Sequence, residues 1–177
     1  VDLTVRAGEV LGVAGVAGNG QSELLAVLGG YQNATGSVSI NQTPIPISSA
    51  AEGQTRRANG LSHVPEDRQH EGLIMEFSAW ENIVFGYHTD AAYQNGFLMD
   101  NTGMKSEALA KMERFDIRPP DPRLRARNFS GGNQQKIVLA REIERDPDLL
   151  LIGQPTRGVA IGAIEFIHQQ IIALRDR

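Results

Sequence analysis

The chain has 177 residues, a formal net charge of −4 and no cysteine. This length is typical of one domain, and 41% hydrophobic with 21% charged residues indicates a globular rather than a disordered chain. The lack of cysteine excludes disulfide and thiolate chemistry. The acidic balance argues against a nucleic-acid binder that relies on overall basic charge, and no apolar run reaches the roughly 18 residues of a membrane-spanning helix.

Glycine and lysine depart most from ordinary usage. Eight of the 19 glycines lie in the first 36 residues, and five more lie between Gly131 and Gly162. Lysine occurs only three times, at positions 105, 111 and 136. Clustered glycine is typical of backbone that needs a positive φ or that approaches a ligand closely. The two glycine clusters are therefore the first places to look for a binding site.

The first cluster lies between a predicted strand and a predicted helix. Residues 9–14 form a short apolar run, which is typical of a buried parallel strand. The glycine-rich residues 15–20 follow, and the apolar spacing of residues 21–28 predicts a helix that Gly29 and Gly30 end. A strand, a glycine-rich loop and a helix in this order predict a phosphate-binding loop.

This loop matches the pattern G-x-x-x-x-G-K-[ST] except at position 21, where glutamine replaces lysine. Backbone N–H groups and the start of the helix can still hold phosphate, but the glutamine supplies no positive charge. The sequence thus predicts nucleotide binding without efficient phosphoryl transfer. The candidate nucleotide-binding residues of the loop are Gly15, Gly18, Asn19, Gly20, Gln21 and Ser22, and the Ser22 hydroxyl is also a candidate magnesium ligand.

A dinucleotide-binding loop is the competing interpretation of the same glycines. Its pattern G-x-G-x-x-G fails at the third glycine, where Glu23 stands. The position after the strand-like residues 37–40 holds Asn41, although a dinucleotide site needs an acid there. The sequence therefore disfavours a nicotinamide cofactor.

The second cluster begins another predicted helix. Ser130 is a natural N-cap, and Gly131 and Gly132 leave the N–H groups of the first turn open to an anion. Helical spacing continues from there towards residues 146–147. A second apolar strand is then predicted over residues 149–152.

With these motifs in place, nearly the whole chain resembles the nucleotide-binding domain of ATP-binding-cassette (ABC) transporters. The FSGGNQQK run at residues 129–136 is similar to the signature of importers of simple sugars and nucleosides. Residues 18–24, and residues 154–158 with 162–166, are similar to the second cassette of their double-cassette ATPases, the nucleoside branch especially.

The resemblance implies an α/β fold of the P-loop NTPase type with a small antiparallel β region and an inserted helical subdomain. It implies that residues 1–71 and 128–177 form the ATPase core and that residues 72–127 form the helical subdomain. The family has an aromatic residue before this region and a further strand after it. We therefore expect a domain truncated at both ends.

The chain departs from the family at the end of the second strand. The family has an aspartate there that holds magnesium through water and a glutamate that polarises the attacking water, whereas this chain has Gly153 and Gln154. Glycine offers no ligand atom, and an amide cannot take a proton near neutral pH. Glu66 occupies the Gln-loop position and can still accept a hydrogen bond or lie near a metal. We expect weak Mg-ATP binding and poor or no hydrolysis by this half alone.

The intact signature implies a second role. In the family two cassettes pack head to tail, and each ATP lies between the glycine loop of one and the signature of the other. The implied partners are another cassette, expected to be the preceding half of the same polypeptide, transmembrane permease subunits and, indirectly, a substrate-binding protein, at the cytoplasmic face of the membrane and without nucleic acid. The signature residues that would complete the partner's site are Ser130, Gly131, Gly132, Asn133 and Gln134.

Two further segments carry local predictions. Residues 35–47 predict a small β region that Pro44 and Pro46 confine to an edge or turn. The spacing of Ser78 and Glu81 predicts a capping box at the start of a helix.

The aromatic side chains near that helix have two interpretations. Phe77, Trp80, Phe85 and Tyr87 either pack in the core, which burial statistics favour, or face a transmembrane subunit as the family resemblance implies. His168 lies on the apolar side of the last predicted helix, and we expect it to be packed.

Two other functions remain open. One is a soluble, non-transport ABC protein that acts on nucleic acid, which the lack of a basic face or a long coiled-coil insertion argues against. The other is a purely regulatory or structural domain that binds no nucleotide, which the glycine loop argues against.

Overall fold

The computed structural model describes residues 1–16, 18–47, 53–95 and 98–177. The helices are α1 (Gln21–Gly29), α2 (Gly53–Ala58), α3 (Ala79–Val84), α4 (Asn101–Arg114), α5 (Gly131–Ile143) and α6 (Ile161–Arg175). The strands are β1 (Val38–Ile40), β2 (Thr43–Ile45), β3 (Leu61–Val64), β4 (Gln94–Asn95), β5 (Leu98–Met99) and β6 (Leu149–Ile152). A π-helical turn lies at Arg68–Gly72, and 3₁₀ turns lie at Ala91–Tyr93 and Ala126–Asn128.

Strands β3 and β6 form a parallel pair, and candidate site residues follow both strands. Leu61 lies opposite Leu149 and Val64 opposite Ile152, and all four residues of β3 are buried. The prediction of a second strand at residues 149–152 is therefore confirmed. The two strands end together, because the N–H of Gly153 donates to the carbonyl of Val64 at 2.8 Å.

The predicted strand at residues 9–14 is wrong. These residues are irregular and exposed, with Val10 57% and Val13 58% accessible. A strand exists only through hydrogen bonds to a neighbouring strand, and no described residue forms a ladder with this segment. An apolar run favours a strand but does not by itself supply the partner strand that it needs. Helix α1 nevertheless forms where it was predicted and ends at Gly30, which has a φ of 90°.

The small β region is confirmed as the hairpin of β1 and β2. Val38 pairs with Ile45 in antiparallel register. Asn41 and Gln42 make the turn with φ values of 49° and 66°, and a two-residue turn with both residues left-handed matches the twist of a hairpin. The buried Ile40 and Ile45 pack with Leu61 of β3.

Helix α5 is the centre of the hydrophobic core. Every residue from Gln134 to Ile143 is buried, and the helix packs against α3, α4, α6 and β3. A helix surrounded on all sides is rigidly placed, so its N-terminal end is held in a fixed position relative to β3 and β6. The core residues around it include Val64, Ile83, Met112, Phe115, Ile117, Phe129 and Ile167.

The region before α5 contains the short helix α3, the longer helix α4 and, between them, the strands β4 and β5. The predicted capping box of α3 is confirmed, because the Glu81 carboxylate accepts from the Ser78 N–H at 2.8 Å. Asp100 caps α4 by accepting from the N–H of Gly103 at 2.9 Å. Strands β4 and β5 pair in antiparallel register, which the sequence had not indicated.

The aromatic residues near α3 divide between the two interpretations. Tyr87 is buried and Trp80 packs against the core, whereas Phe77 and Phe85 are 39% and 43% exposed. The two phenylalanine rings meet edge to face with centroids 6.5 Å apart. The core interpretation is thus confirmed for Tyr87 and Trp80 and wrong for Phe77 and Phe85.

The expectation for His168 is also wrong. His168 is exposed, and the side chain buried against the core is its neighbour Ile167. One residue turns a helix by about 100°, so a small error in the assigned face moves a side chain from core to solvent. None of the described helices combines the length and the apolar character that crossing a bilayer requires.

Candidate functional site

The glycine loop has a backbone that only glycine adopts easily. Gly18 and Gly20 have φ values of 89° and 98°, in the left-handed region. The N–H of Asn19 donates to the carbonyl of Val16 at 3.2 Å, and Gly20 then leads directly into α1. Ala17 lies outside the described residues. A glycine turn running into a helix N-terminus is a geometry suited to phosphate.

The side chain of Gln21 folds back across this loop. Its Nε2 donates to the carbonyl of Val16 at 3.3 Å. A Cβ placed on Gly15 would lie only 1.9 Å from that nitrogen, so a side chain at position 15 would push the amide out of this place. The place where the motif carries a cation is therefore occupied by a neutral group.

A hydroxyl and a carboxylate meet beside the loop. Ser22, in the first turn of α1, donates from Oγ to Oε2 of Glu66 at 2.9 Å. Glu66 is placed there because it follows β3 after the buried Pro65. Oxygen atoms of this kind suit Mg²⁺ that is bound mainly by phosphate and water. The pair fits a magnesium ion weakly, and the described residues contain no cluster of three acidic or histidine side chains.

The end of β6 has no room for a third oxygen ligand. Gly153 is buried, and a Cβ placed on it would lie 2.5 Å from both Cγ of Glu66 and Cδ2 of Leu25. The next residue, Gln154, is exposed and has a φ of 42°, which is uncommon for a residue with a side chain. Neither residue offers a carboxylate at the end of β6.

The second glycine cluster begins α5 with its donors free. Ser130 caps the helix, and its Oγ accepts from the Asn133 N–H at 3.4 Å and from Asn133 Nδ2 at 3.0 Å. Gly131 and Gly132 are partly exposed. Within the described part of the chain, their N–H groups have no hydrogen-bond partner. These donors and the positive end of the helix form a place for an anion.

The side chains of Asn133 and Gln134 bind the backbone of segments that pack beside this helix end. The Asn133 amide brackets Arg118, accepting from its N–H at 3.0 Å and donating to its carbonyl at 2.8 Å. Gln134 is buried and donates to the carbonyls of Ala126 and Phe129, both at 3.1 Å. The groups that remain outward are therefore Ser130, Gly131 and Gly132.

Sequence reasoning missed Arg68. Its guanidinium donates from Nη1 to the carbonyl of Arg157 at 2.7 Å and from Nη2 to the carbonyl of Gly158 at 3.2 Å. The same side chain lies against Gly131, since a Cβ there would be 2.7 Å from Nη2. Its partners lie about 90 residues further along the chain, and the only local signal was its position two residues after Glu66.

Sequence reasoning also missed a buried ionic network between β3 and α5. Glu142 is fully buried and accepts from Arg141 Nε at 2.7 Å and from the Tyr87 hydroxyl at 3.0 Å. Burial raises the pKa of Glu142, but the Arg141 and Arg57 guanidiniums outweigh it, so the pKa lies below the usual value. Burial lowers the pKa of the nearby His63 to about 4, which keeps that imidazole neutral at neutral pH.

A groove of about 400 Å³ opens next to this network. It combines cationic side chains with aromatic and apolar ones, and the exposed ring of Phe85 lies at its wall. Its lining includes Tyr31, Arg57, His63, Leu73, Phe85 and Arg141.

Known relatives import small molecules. The chain is 41% identical over 180 residues to the guanosine import ATP-binding protein NupO of Bacillus subtilis and 43% identical over 184 residues to the nucleoside import ATP-binding protein NupA of Lactococcus lactis. It is 42% identical to the glucose import ATP-binding protein TsgD13 of Haloferax volcanii. Each alignment covers 99% of this chain, which spans only about a third of the length of these relatives.

Solved structures agree on the fold. The dimeric ATP-binding cassette MJ0796, in a post-hydrolysis state with ADP and Pi, matches with a TM-score of 0.78 at 23% identity, over 98% of this chain and 72% of that one. The family model described as ABC transporter matches residues 1–157. The chain therefore belongs to the ABC transporter family and has the α/β fold of its ATPases.

Proposed function

We propose that the chain is the energy-coupling, ATP-binding part of an importer for simple sugars or nucleosides. Its own glycine-loop site binds nucleotide weakly and hydrolyses it poorly. Its signature end completes the ATP site of a second cassette. Family membership and the import functions in the names of the relatives support the transport role.

The observation that carries this proposal is the difference between the two phosphate-facing places. Beside the glycine loop, the cation is replaced by the folded Gln21 amide, and the space at Gly153 is filled by Glu66 and Leu25. At the start of α5, by contrast, Ser130 caps the helix and the following N–H groups are free. One place lacks the cation at position 21 and the carboxylates after β6, while the other has its donors free.

The residues of α5 would act on a phosphate held by the partner cassette. The N–H groups of Gly131 and Gly132 donate to oxygens of the terminal phosphate, and the positive helix end stabilises the negative charge there. Ser130 keeps the first turn formed. At the chain's own loop, Ser22 and Glu66 would hold Mg²⁺, which neutralises phosphate charge when it is bound.

The further partners follow from the same proposal. We assign the partner cassette to the remainder of the same polypeptide, in line with relatives about three times as long. Residues 72–127 act as the helical subdomain, with residues 1–71 and 128–177 as the ATPase core. The permease docks at the exposed rings of Phe77 and Phe85, which places the protein peripherally at the cytoplasmic face of the membrane.

A charge placed at the signature tests the proposal. In the full-length protein, Gly132→Asp puts a carboxylate where the phosphate would bind, so ATP hydrolysis should fall by at least about a hundredfold. The helix should tolerate the change, because an acid is favourable at a helix N-terminus and a Cβ at Gly132 makes only ordinary contacts, 3.5 Å to Ala163 Cβ. The measurement is steady-state phosphate release.

The matched control is Gly162→Asp. Gly162 holds the equivalent second position of α6, and a Cβ there would meet nothing within 4 Å. It adds the same charge to the same kind of helix position, and activity should stay at the unmodified level. Full hydrolysis by the Gly132→Asp protein would rule out a phosphate at the signature.

A further inference from the structure

Arg68 joins two segments that meet at the signature end of α5. Its two terminal nitrogens donate separately to the carbonyls of Arg157 and Gly158. A planar guanidinium can make two such bonds at once in fixed directions, which a lysine ammonium cannot do in the same geometry. Arg68 therefore acts as a clamp on the segment that follows β6.

The clamped carbonyl lies close to the phosphate-binding donors. The oxygen of Gly158 would be 3.0 Å from a Cβ on Gly131, the first residue of α5. Free N–H groups at a helix start attract any nearby acceptor. A carbonyl released in this place is therefore a natural competitor of the phosphate for those N–H groups.

The charged guanidinium of Arg68 lies at the N-terminal end of α5. Nη2 of Arg68 would lie 2.7 Å from a Cβ on Gly131, so a side chain at this position would force the guanidinium to shift. A cation beside a helix N-terminus opposes the helix dipole. The carbonyl oxygens of Arg157 and Gly158 offset that cost. A phosphate bound at the start of α5 would attract the same guanidinium, so the charge would then be favourable.

We propose that Arg68 is a positioning residue of the signature site. By holding the carbonyls of Arg157 and Gly158, it keeps the N–H groups of Gly131 and Gly132 open to the terminal phosphate of a nucleotide in the partner cassette. This inference rests on the proposed role of the signature. It adds a residue from outside the signature motif and a reason why that residue is an arginine.

The test uses Arg68→Met and Arg68→Lys in the full-length protein. Without these two bonds the carbonyls can compete with phosphate for the N–H groups, so Arg68→Met should raise the apparent Kd for ATP, measured by titration with Mg-ATP, by about tenfold or more. The Kd for ADP should stay within about twofold, because ADP lacks the phosphate that the signature contacts. Arg68→Lys should recover only part of the loss.

Two controls separate a specific effect from a folding defect. Arg127→Met removes another arginine, which pairs with Glu76 at 2.8 Å on the surface. It should leave the affinities for ATP and ADP unchanged. The thermal midpoint of each variant reports the fold itself. A parallel loss of ATP and ADP affinity in Arg68→Met would show a purely structural role and overturn the inference.

The remaining outcomes are also decisive. Full recovery by Arg68→Lys would mean that charge alone matters, and the clamp would be wrong. Normal ATP affinity in Arg68→Met combined with inactive Gly132→Asp would overturn the role of Arg68 but keep the signature site. Normal behaviour of Gly132→Asp would overturn the proposed function itself.

Discussion

Single residues support the proposal that the chain's own loop binds nucleotide weakly. Gln21 keeps the backbone of a phosphate loop but replaces its charge with an amide that lies over Gly15. At the end of β6, Gly153 is required by packing, because Glu66 and Leu25 fill the space that a larger side chain would need. These substitutions act on separate parts of one site, namely phosphate charge and metal coordination.

Restoring the cation should improve binding without restoring hydrolysis. We predict that Gln21→Lys tightens Mg-ATP binding by this chain about tenfold, because a positive charge near phosphate forms strong charge-assisted hydrogen bonds. Turnover should stay at its original level, since Gln154 cannot act as a base. Isothermal titration measures the first effect, and phosphate release measures the second.

The control for that change is Gln32→Lys, which adds the same charge at an exposed position beyond α1. It should leave the affinity unaltered. If Gln21→Lys alone produced turnover, another acid such as Glu66 would have to serve as the base, and our account of Gln154 would be wrong.

At the scale of elements, β3 and α5 are joined by a buried polar network. Glu142 of α5 accepts from the backbone N–H of His63 at 3.4 Å and forms an ion pair with Arg57 at 3.8 Å. The ring of His63 packs at 5.3 Å from that of Tyr31. Neither nitrogen of the imidazole has a partner within the described part of the chain, so protonation inside the fold is unfavourable.

This environment predicts that the fold begins to lose stability at pH values above those at which ordinary carboxylates titrate. Burial lowers the pKa of His63 from 6.5 to about 4. Between these two pH values, His63 therefore binds a proton in the unfolded chain but not in the folded chain. The free energy of unfolding should therefore fall as the pH drops below 6.5, by up to about 1.4 kcal/mol per pH unit. Urea unfolding followed by the fluorescence of Trp80 measures it.

Two substitutions assign that slope. His63→Leu should flatten the pH dependence between 6.5 and 4.5, since the proton-accepting group is gone. His88→Leu changes an exposed histidine and should leave the slope as it was. An undiminished slope in His63→Leu would show that the acid sensitivity in this pH range does not arise at His63.

At the scale of the whole molecule, the loop site, the start of α5 and the groove are formed by different residues. The loop site uses α1, β3 and β6, while the signature uses the start of α5. The groove is lined by residues from the ends of α1 and α2, from β3, from the π-helical turn and from α5, with Phe85, just after α3, exposed beside it. Under the proposed function, nucleotide, second cassette and permease would bind to separate surfaces of this fold.

The permease surface can be tested by charge. Phe85→Asp should weaken association of the full-length protein with its permease by at least about tenfold, because truncating an aromatic hot spot of an interface costs about 2 kcal/mol or more. Leu98→Asp changes a residue that is 75% exposed and does not line the groove, and should leave assembly intact. Co-purification from membranes measures both. Equal loss in the two variants would argue against a specific surface.

Motifs with local geometry could be predicted from the chain alone. The helix after the glycine loop, the N-cap at Ser130 and the capping box at Ser78 all depend on neighbours within a few residues. The strand expected at residues 9–14 failed because pairing needs a distant partner. His168 failed because the face of a helix that meets the core depends on how that helix packs.

The sequence by itself determined the family, the missing cation at position 21 and the loss of carboxylates at Gly153 and Gln154, because identity and spacing are enough to define these features. Only the tertiary structure decided that Glu66 meets Ser22, that Gln134 turns inward and that Arg68 clamps the backbone beside Gly131. These contacts join residues that lie far apart in the chain or turn a side chain inward. Packing around α5 sets their positions, and no local pattern encodes it.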